Sequence, residues 1–200
     1  MSTKRIGVLG GTFDPFHLGH LAAASVAMDC AHLERVIFVP AAQPPHRPPT
    51  IAQATDRLEM CKLATAGDAR FAVSDMELDR TGPSYTVDTL TELRRLNPEA
   101  ELYLILGWDA ARVFHTWRQP ERIREMSSIV IVGRPGSAAP QPDDLKSAGL
   151  DGEGVVLCLG HTPAVSASDV RRAVAAREPI AGLVPEAVEH YIRAHRLYTG

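Results

Sequence analysis

The chain has 200 residues, 45% of them hydrophobic and 22% charged, with a formal net charge of −3. That length fits one domain spanning residues 1–200, long enough to bury a proper core. The balance of charge speaks against a general nucleic-acid binder, which carries a basic surface, but it leaves room for a locally positive site and an anionic small substrate.

Short apolar runs alternate with helix-like segments. Residues 5–9 read as a strand and residues 18–31, rich in Ala and Leu, as a helix. Residues 35–39 ("RVIFV") form a second strand. The segment 55–66 looks helical with Thr55 as its cap. Residues 71–73 make a short strand, and 84–96 a helix capped by Ser84 and ended by Pro98. The continuous apolar run 102–106 ("LYLIL") has the character of a central parallel strand. A short helix at 120–126 opens with Pro120. Strands at 129–132 and 155–159 follow, then helices at 168–176 and 185–195. This alternation predicts an α/β fold: a Rossmann-like, doubly wound parallel sheet with a small helical C-terminal part at about 166–200. Residues 134–154 are rich in Pro and Gly and read as a surface excursion between two strands, with a helical possibility at 143–148.

Cys30, Cys61 and Cys158 are odd in number, far apart and without a C-x-x-C pair. They point away from disulfides and zinc, toward small buried side chains in a reducing compartment. No stretch approaches the roughly 20 apolar residues of a membrane span, and the first residues lack a signal-peptide pattern. A cytoplasmic protein without a membrane partner is expected.

The segment "GVLGGTFDPFHLGH" (residues 7–20) joins the first strand to the first helix. In an open parallel sheet, ligands bind beyond the carboxyl ends of the strands. Gly10 and Gly11 remove side chains there, so a ligand can approach the backbone. The helix start favours a phosphate through its N–H groups and dipole. His17 and His20 are three apart, so both rings can face one side of the first turn and donate to phosphate oxygens. The segment is neither a P-loop, for it lacks G-K-[ST], nor the G-x-G-x-x-G dinucleotide fingerprint. One histidine here would read as incidental. Two, at helical spacing in the ligand-binding loop, read as a phosphate site.

Other segments carry weaker signals. Tyr85 and Thr86 begin a helix, where an aromatic could stack on a flat ring and N–H groups could bind a carboxylate; on their own they read better as an N-cap with a half-buried Tyr. Trp117 alone would pass for core. Asp109, beyond strand 102–106, could accept ribose hydroxyls or cap a helix. "SASD" (166–169) is a capping-box pattern with Arg171 just inside, a second possible phosphate site. His46 and Arg47 lie in a proline-rich loop that could present both to a substrate phosphate. The other histidines lack metal-like spacing, and no metal site is expected in the protein itself.

These motifs together resemble the nucleotidyltransferases that carry H-x-G-H, here His17-Leu18-Gly19-His20. Among them the chain is similar, nearly end to end, to the bacterial nicotinate-nucleotide adenylyltransferase family. "PAAQPPHR" (40–47) matches that family's P-x-x-x-P-P-H-K with Arg47 for lysine. "DRLEM" (56–60) matches R-x-x-M, and "SYTVDTL" (84–90) matches S-Y-T-x-D-T-L. "GWD" (107–109) with Trp117 matches G-x-D and a downstream Trp, with Trp108 in place of a small residue. "VSASDVR" (165–171) corresponds to I-S-S-T-x-I-R, with Ala167 and Ser168 at the substituted positions.

The resemblance implies adenylyl transfer from ATP to nicotinate mononucleotide in NAD biosynthesis. It implies His17, His20 and Arg171 as catalytic residues. Gly10, Gly11, Thr12, Phe13, Gly107, Asp109 and Ser166 join them around ATP. Thr12, His46, Arg47, Tyr85, Thr86 and Trp117 would surround the mononucleotide. Mg²⁺ would arrive with ATP, held mainly by phosphates and water. A phosphopantetheine-type adenylyltransferase shares H-x-G-H but not the S-Y-T-x-D-T and G-x-D…W segments. A non-catalytic nucleotide sensor would have little use for both histidines.

Overall fold

The computed structural model describes residues 4–43, 49–133 and 139–199. Six strands form one wholly parallel sheet in the order β3-β2-β1-β4-β5-β6. They are β1 (Lys4–Gly11), β2 (Arg35–Pro40), β3 (Phe71–Val73), β4 (Ala100–Gly107), β5 (Ser127–Val132) and β6 (Val155–Cys158). The helices are α1 (Leu18–Ala31), α2 (Ala54–Thr65), α3 (Thr86–Leu96), α4 (Trp108–Ala111), α5 (Pro120–Met126), α6 (Pro142–Ser147), α7 (Ala167–Ala175) and α8 (Glu186–Ala194). The doubly wound architecture expected from the alternation is present.

The two-residue period of the strands builds two cores. Leu9, Val36, Phe38, Ile105 and Val130 face α1, α2, α7 and α8. Ile6, Val8, Ile37, Val39, Leu104 and Ile131 face α3, α4 and α5. Helix α1 buries Ala24, Ala27, Met28 and Ala31, a stripe of mostly small side chains along one face. Gly7 lies under this packing: a Cβ there would come within 2.8 Å of Ile105 and Leu33. The strand order reverses direction between β1 and β4, so the ends of these two strands open a crevice at the sheet's carboxyl edge.

Several local expectations are corrected. Thr55 is inside α2, whose cap is Gln53. Ser84 does not cap α3, which Tyr85 precedes. Its hydroxyl instead accepts the N–H of Ala42, at 3.0 Å, and of Gln43. Within the stretch 134–154, residues 134–138 lie outside the described residues. The rest is docked: Ala148 and Leu150 are buried in the second core, and Arg124 donates to the carbonyls of Gly149 and Asp151.

The cysteine reading is also corrected. Cys30 and Cys158 form a disulfide across 128 residues of sequence, and only Cys61 stays free and buried. The fold lays the last turn of α1 beside the end of β6, a contact that spacing along the chain does not announce. The pairing removes the cysteine argument for a reducing compartment. Among the described residues, no helix is long and apolar enough to cross a membrane.

Candidate active site

The loop from Thr12 to His17 is built from within. Phe13 takes a left-handed φ of 48° and buries its ring with Phe16 and Phe38. What Phe13 offers a ligand is therefore its backbone. Asp14, 4% exposed, accepts from Ile51 N at 2.7 Å, Ala52 N at 3.1 Å and the Tyr198 hydroxyl at 2.7 Å. Arg57 is fully buried beneath the loop and donates to the Thr12 carbonyl at 2.7 Å. Burial lowers the Arg57 pKa, and the Asp14 carboxylate opposes that most strongly.

This loop delivers His17 and His20 to the start of α1. Their rings stack, centroids 3.6 Å apart and planes within 22° of parallel. His20 Nδ1 accepts the His17 backbone N–H at 3.2 Å, which fixes the His20 ring's orientation. Phe13 meets His20 edge-on at 4.9 Å, and Phe16 lies at 5.2 Å. Gly19 leaves room for the His17 ring, since a Cβ would lie 2.9 Å from His17 Nδ1 and 3.3 Å from Val165. The Leu18 N–H is already donated to the Leu183 carbonyl. An anion here is met by the histidine rings and by the approach over Gly10 and Gly11, rather than by the whole first turn of α1.

Val165 brings the start of α7 beside Gly19. Ser166 caps α7, accepting from Asp169 N at 3.2 Å and donating to its carboxylate at 2.6 Å. Arg171 donates to the Asp14 carbonyl at 2.6 Å and to Ser168 Oγ at 3.3 Å. The second predicted phosphate site thus lies against the first. Across the crevice, Gly107 caps α4 at the end of β4, and Asp109 is exposed in its first turn.

The ring-binding candidates lie together on the other face. Tyr85 precedes α3, Thr86 opens it, and Trp117 packs on Phe114 at 5.5 Å between centroids. Tyr85, Trp108 and Trp117 are half-buried against the second core, each with part of its ring accessible. The Arg118 guanidinium lies 4.5 Å over the Tyr85 ring and brings a cation there. Beneath, buried Glu77 accepts from Thr89 Oγ1 at 2.5 Å and also hydrogen-bonds Ser84. Burial pushes its carboxyl pKa up. His46 and Arg47 lie outside the described residues.

Sequence reasoning missed Asp14, Arg57, Tyr198, Glu77 and Arg118 as residues that shape the site. Asp14 and Arg57 stood inside quoted motifs, but their burial depends on contacts from distant segments. Among the described residues, no group of three or more His, Cys, Asp or Glu side chains is placed to hold a metal ion.

A parallel sheet with this switch point, paired histidines at the first helix and a capped second helix define a nucleotidyltransferase fold. The cytidylyltransferase-like family model matches residues 8–173. A "Probable nicotinate-nucleotide adenylyltransferase" of Thermus thermophilus is 48% identical over 197 residues, covering 97% of this chain and 99% of that one. Its namesake in Streptomyces coelicolor is 43% identical over 195 residues, 96% and 100% of the two chains. The chain belongs to the nicotinate-nucleotide adenylyltransferase family. Among solved structures, Plasmodium falciparum nicotinic acid mononucleotide adenylyltransferase complexed with NaAD superposes with a TM-score of 0.79 at 18% identity. The match covers 98% of this chain and 97% of that one.

Proposed function

We propose that the protein transfers the adenylyl group of ATP to nicotinate mononucleotide, releasing nicotinate adenine dinucleotide and pyrophosphate in NAD biosynthesis. The observation that carries the reading is the stacked His17–His20 pair at the crevice between β1 and β4. Relatives of that name matched over nearly their full length support it.

The reaction is a direct in-line displacement. A phosphate oxygen of the mononucleotide forms a bond to the α-phosphorus of ATP. The bond from that phosphorus to the oxygen bridging to the β-phosphate breaks, and pyrophosphate leaves with the electron pair. No covalent enzyme intermediate is required. Catalysis then rests on positioning and on donors aimed at developing charge. His17 and His20 meet the transferring and leaving phosphates, and Arg171 with Ser166 the β/γ end. To do so, Arg171 exchanges its bond to the Asp14 carbonyl for the nucleotide. Gly10, Gly11, Thr12 and the Phe13 backbone line the approach, and Gly107 and Asp109 receive the adenosine ribose. Thr12, Tyr85, Thr86 and Trp117 hold the mononucleotide.

The reacting nucleotide is the magnesium complex of ATP. Phosphate and water oxygens supply most of its ligands. Both substrates are charged phosphates that membranes retain, which supports a cytoplasmic setting.

The test is a coupled pyrophosphate assay with ATP and three acceptors: nicotinate mononucleotide, its amide analogue and phosphopantetheine. Turnover is expected with the first. Turnover with phosphopantetheine alone, or with no acceptor, contradicts the reading.

A further inference from the structure

We propose that Tyr198 is a positioning residue for catalysis: through its hydrogen bond to Asp14, the segment after α8 holds the loop that carries His17 and His20 in its reactive shape. The inference goes beyond the family match, which ends at residue 173. As far as it concerns turnover, it rests on the adenylyl-transfer reading.

The contact is built rather than incidental. Tyr198 is 8% exposed, sits at a left-handed φ of 63° and packs its ring into the first core. Its hydroxyl reaches Asp14 Oδ1 at 2.7 Å, and among the described residues the other donors to the Asp14 carboxylate are the backbone N–H groups of Ile51 and Ala52. A carboxyl group at 4% exposure depends on these donors in place of water.

Asp14 is also a junction. Its carbonyl receives Arg171, and its neighbours Phe13 and Phe16 both contact the His20 ring. A shift of Asp14 therefore moves Arg171 and His20 together. The chain of contacts runs from Tyr198 to the Asp14 carboxylate, through the Phe13–Phe16 turn, to the histidine pair.

A second tyrosine supplies the control. Tyr191 on α8 donates to Asp56 on α2 at 2.9 Å. It is the same phenol–carboxylate pairing, tying the same C-terminal region to the sheet's helices, but its hydrogen bond goes to α2 and not to the loop. If Tyr198 served only to fasten the end of the chain, the two tyrosines would be equivalent.

The experiment compares full-length wild type, Tyr198→Phe and Tyr191→Phe in two arms. In the first, ¹⁵N-labelled histidine side-chain NMR of the resting protein follows the His17 and His20 rings, with His32, at the opposite end of α1, and His115 as references. Tyr198→Phe is expected to move the signals of His17 and His20 and leave the references in place, whereas Tyr191→Phe moves none of them. In the second, pyrophosphate release is measured with ATP and nicotinate mononucleotide. Tyr198→Phe is expected to lower kcat on the order of tenfold, with either KM changing by less than about threefold, and Tyr191→Phe to match wild type. Should Tyr198→Phe fail to fold, Asp14→Asn is read in both arms with the same expectation. Unmoved histidine signals in the folded variant, or equal loss of kcat in the two tyrosine variants, overturn the proposal. If wild type itself releases no pyrophosphate, the adenylyl-transfer reading fails, while the first arm still decides whether Tyr198 sets the histidine loop.

Discussion

The imidazole of His17 lies flat against that of His20, with ring centroids 3.6 Å apart. The surrounding groups hold the rings on three sides: Phe13 and Phe16 against His20, the His17 backbone on Nδ1 of His20, and Gly19 beneath His17.

Gly19 makes that closeness testable. A methyl group at this position meets His17 Nδ1 at 2.9 Å and Val165 at 3.3 Å, so the ring or the start of α7 must give way. Gly19→Ala is expected to cost about 1–3 kcal/mol of stability from overpacking and up to about 10²-fold in kcat from displaced groups. Thermal melts and pyrophosphate release measure both. An unchanged kcat would mean that the position of the His17 ring is unimportant to the reaction.

Trp117 is half-buried, resting on Phe114 and free on part of its surface. Trp117→Ala is expected to raise KM for the mononucleotide while leaving KM for ATP nearly unchanged, at a loss on the order of 1–3 kcal/mol by analogy with base stacking. Equal losses for the two substrates would return Trp117 to the core.

On the proposed function, the start of α3 receives the acceptor's carboxylate and selects it over a carboxamide. Backbone N–H groups and the helix dipole attract the anion, and the Arg118 guanidinium on Tyr85 adds to the attraction. A carboxamide turns its NH₂ toward donors and leaves a group unpaired, at about 1–3 kcal/mol. Nicotinate mononucleotide is expected to exceed its amide by at least about tenfold in kcat/KM. Thr86→Val should shrink that ratio, chiefly by slowing the acid. Equal values for acid and amide on the wild type would refute this picture of the ring pocket.

Much of this arrangement was legible before the structure. Strands such as β4 announce themselves because both faces are covered, so the run 102–106 is apolar throughout. The histidine pair was legible because its spacing is local. What escaped depends on distant partners. Ser84 has the chemistry of a cap, but the N–H groups of Ala42 and Gln43 claim its hydroxyl. Arg57 has the look of a solvated helix charge, but it is buried to serve the Thr12 carbonyl. Helix α4 is four residues long, too short for any period to appear. Cys30 and Cys158, like Asp14 and Tyr198, meet only once the sheet is assembled.

Glu77 gives the fold a pH signature. Burial raises its carboxyl pKa above the ordinary value, with Thr89 and Ser84 acting against that. Folding therefore favours the protonated acid. That contribution is complete below the unfolded pKa and is lost as pH rises through the higher folded value. Glu77→Gln keeps the acceptor for Thr89 and removes the titration. Its melting temperature relative to wild type is expected to rise as pH increases above the ordinary glutamate range of about 4. A difference that stays constant as pH rises would place the pH dependence of stability elsewhere.

The most direct measurement is kcat for pyrophosphate release from ATP and nicotinate mononucleotide by wild type and by folded His20→Ala, with binding of both substrates followed separately. If the stacked pair stabilises charge on the transferring and leaving phosphates, the variant binds both substrates nearly as well as wild type. Its kcat then falls by roughly 10²- to 10³-fold, the loss expected for one preorganised donor. A folded His20→Ala enzyme that turns over at close to the wild-type rate would contradict the role given to the pair.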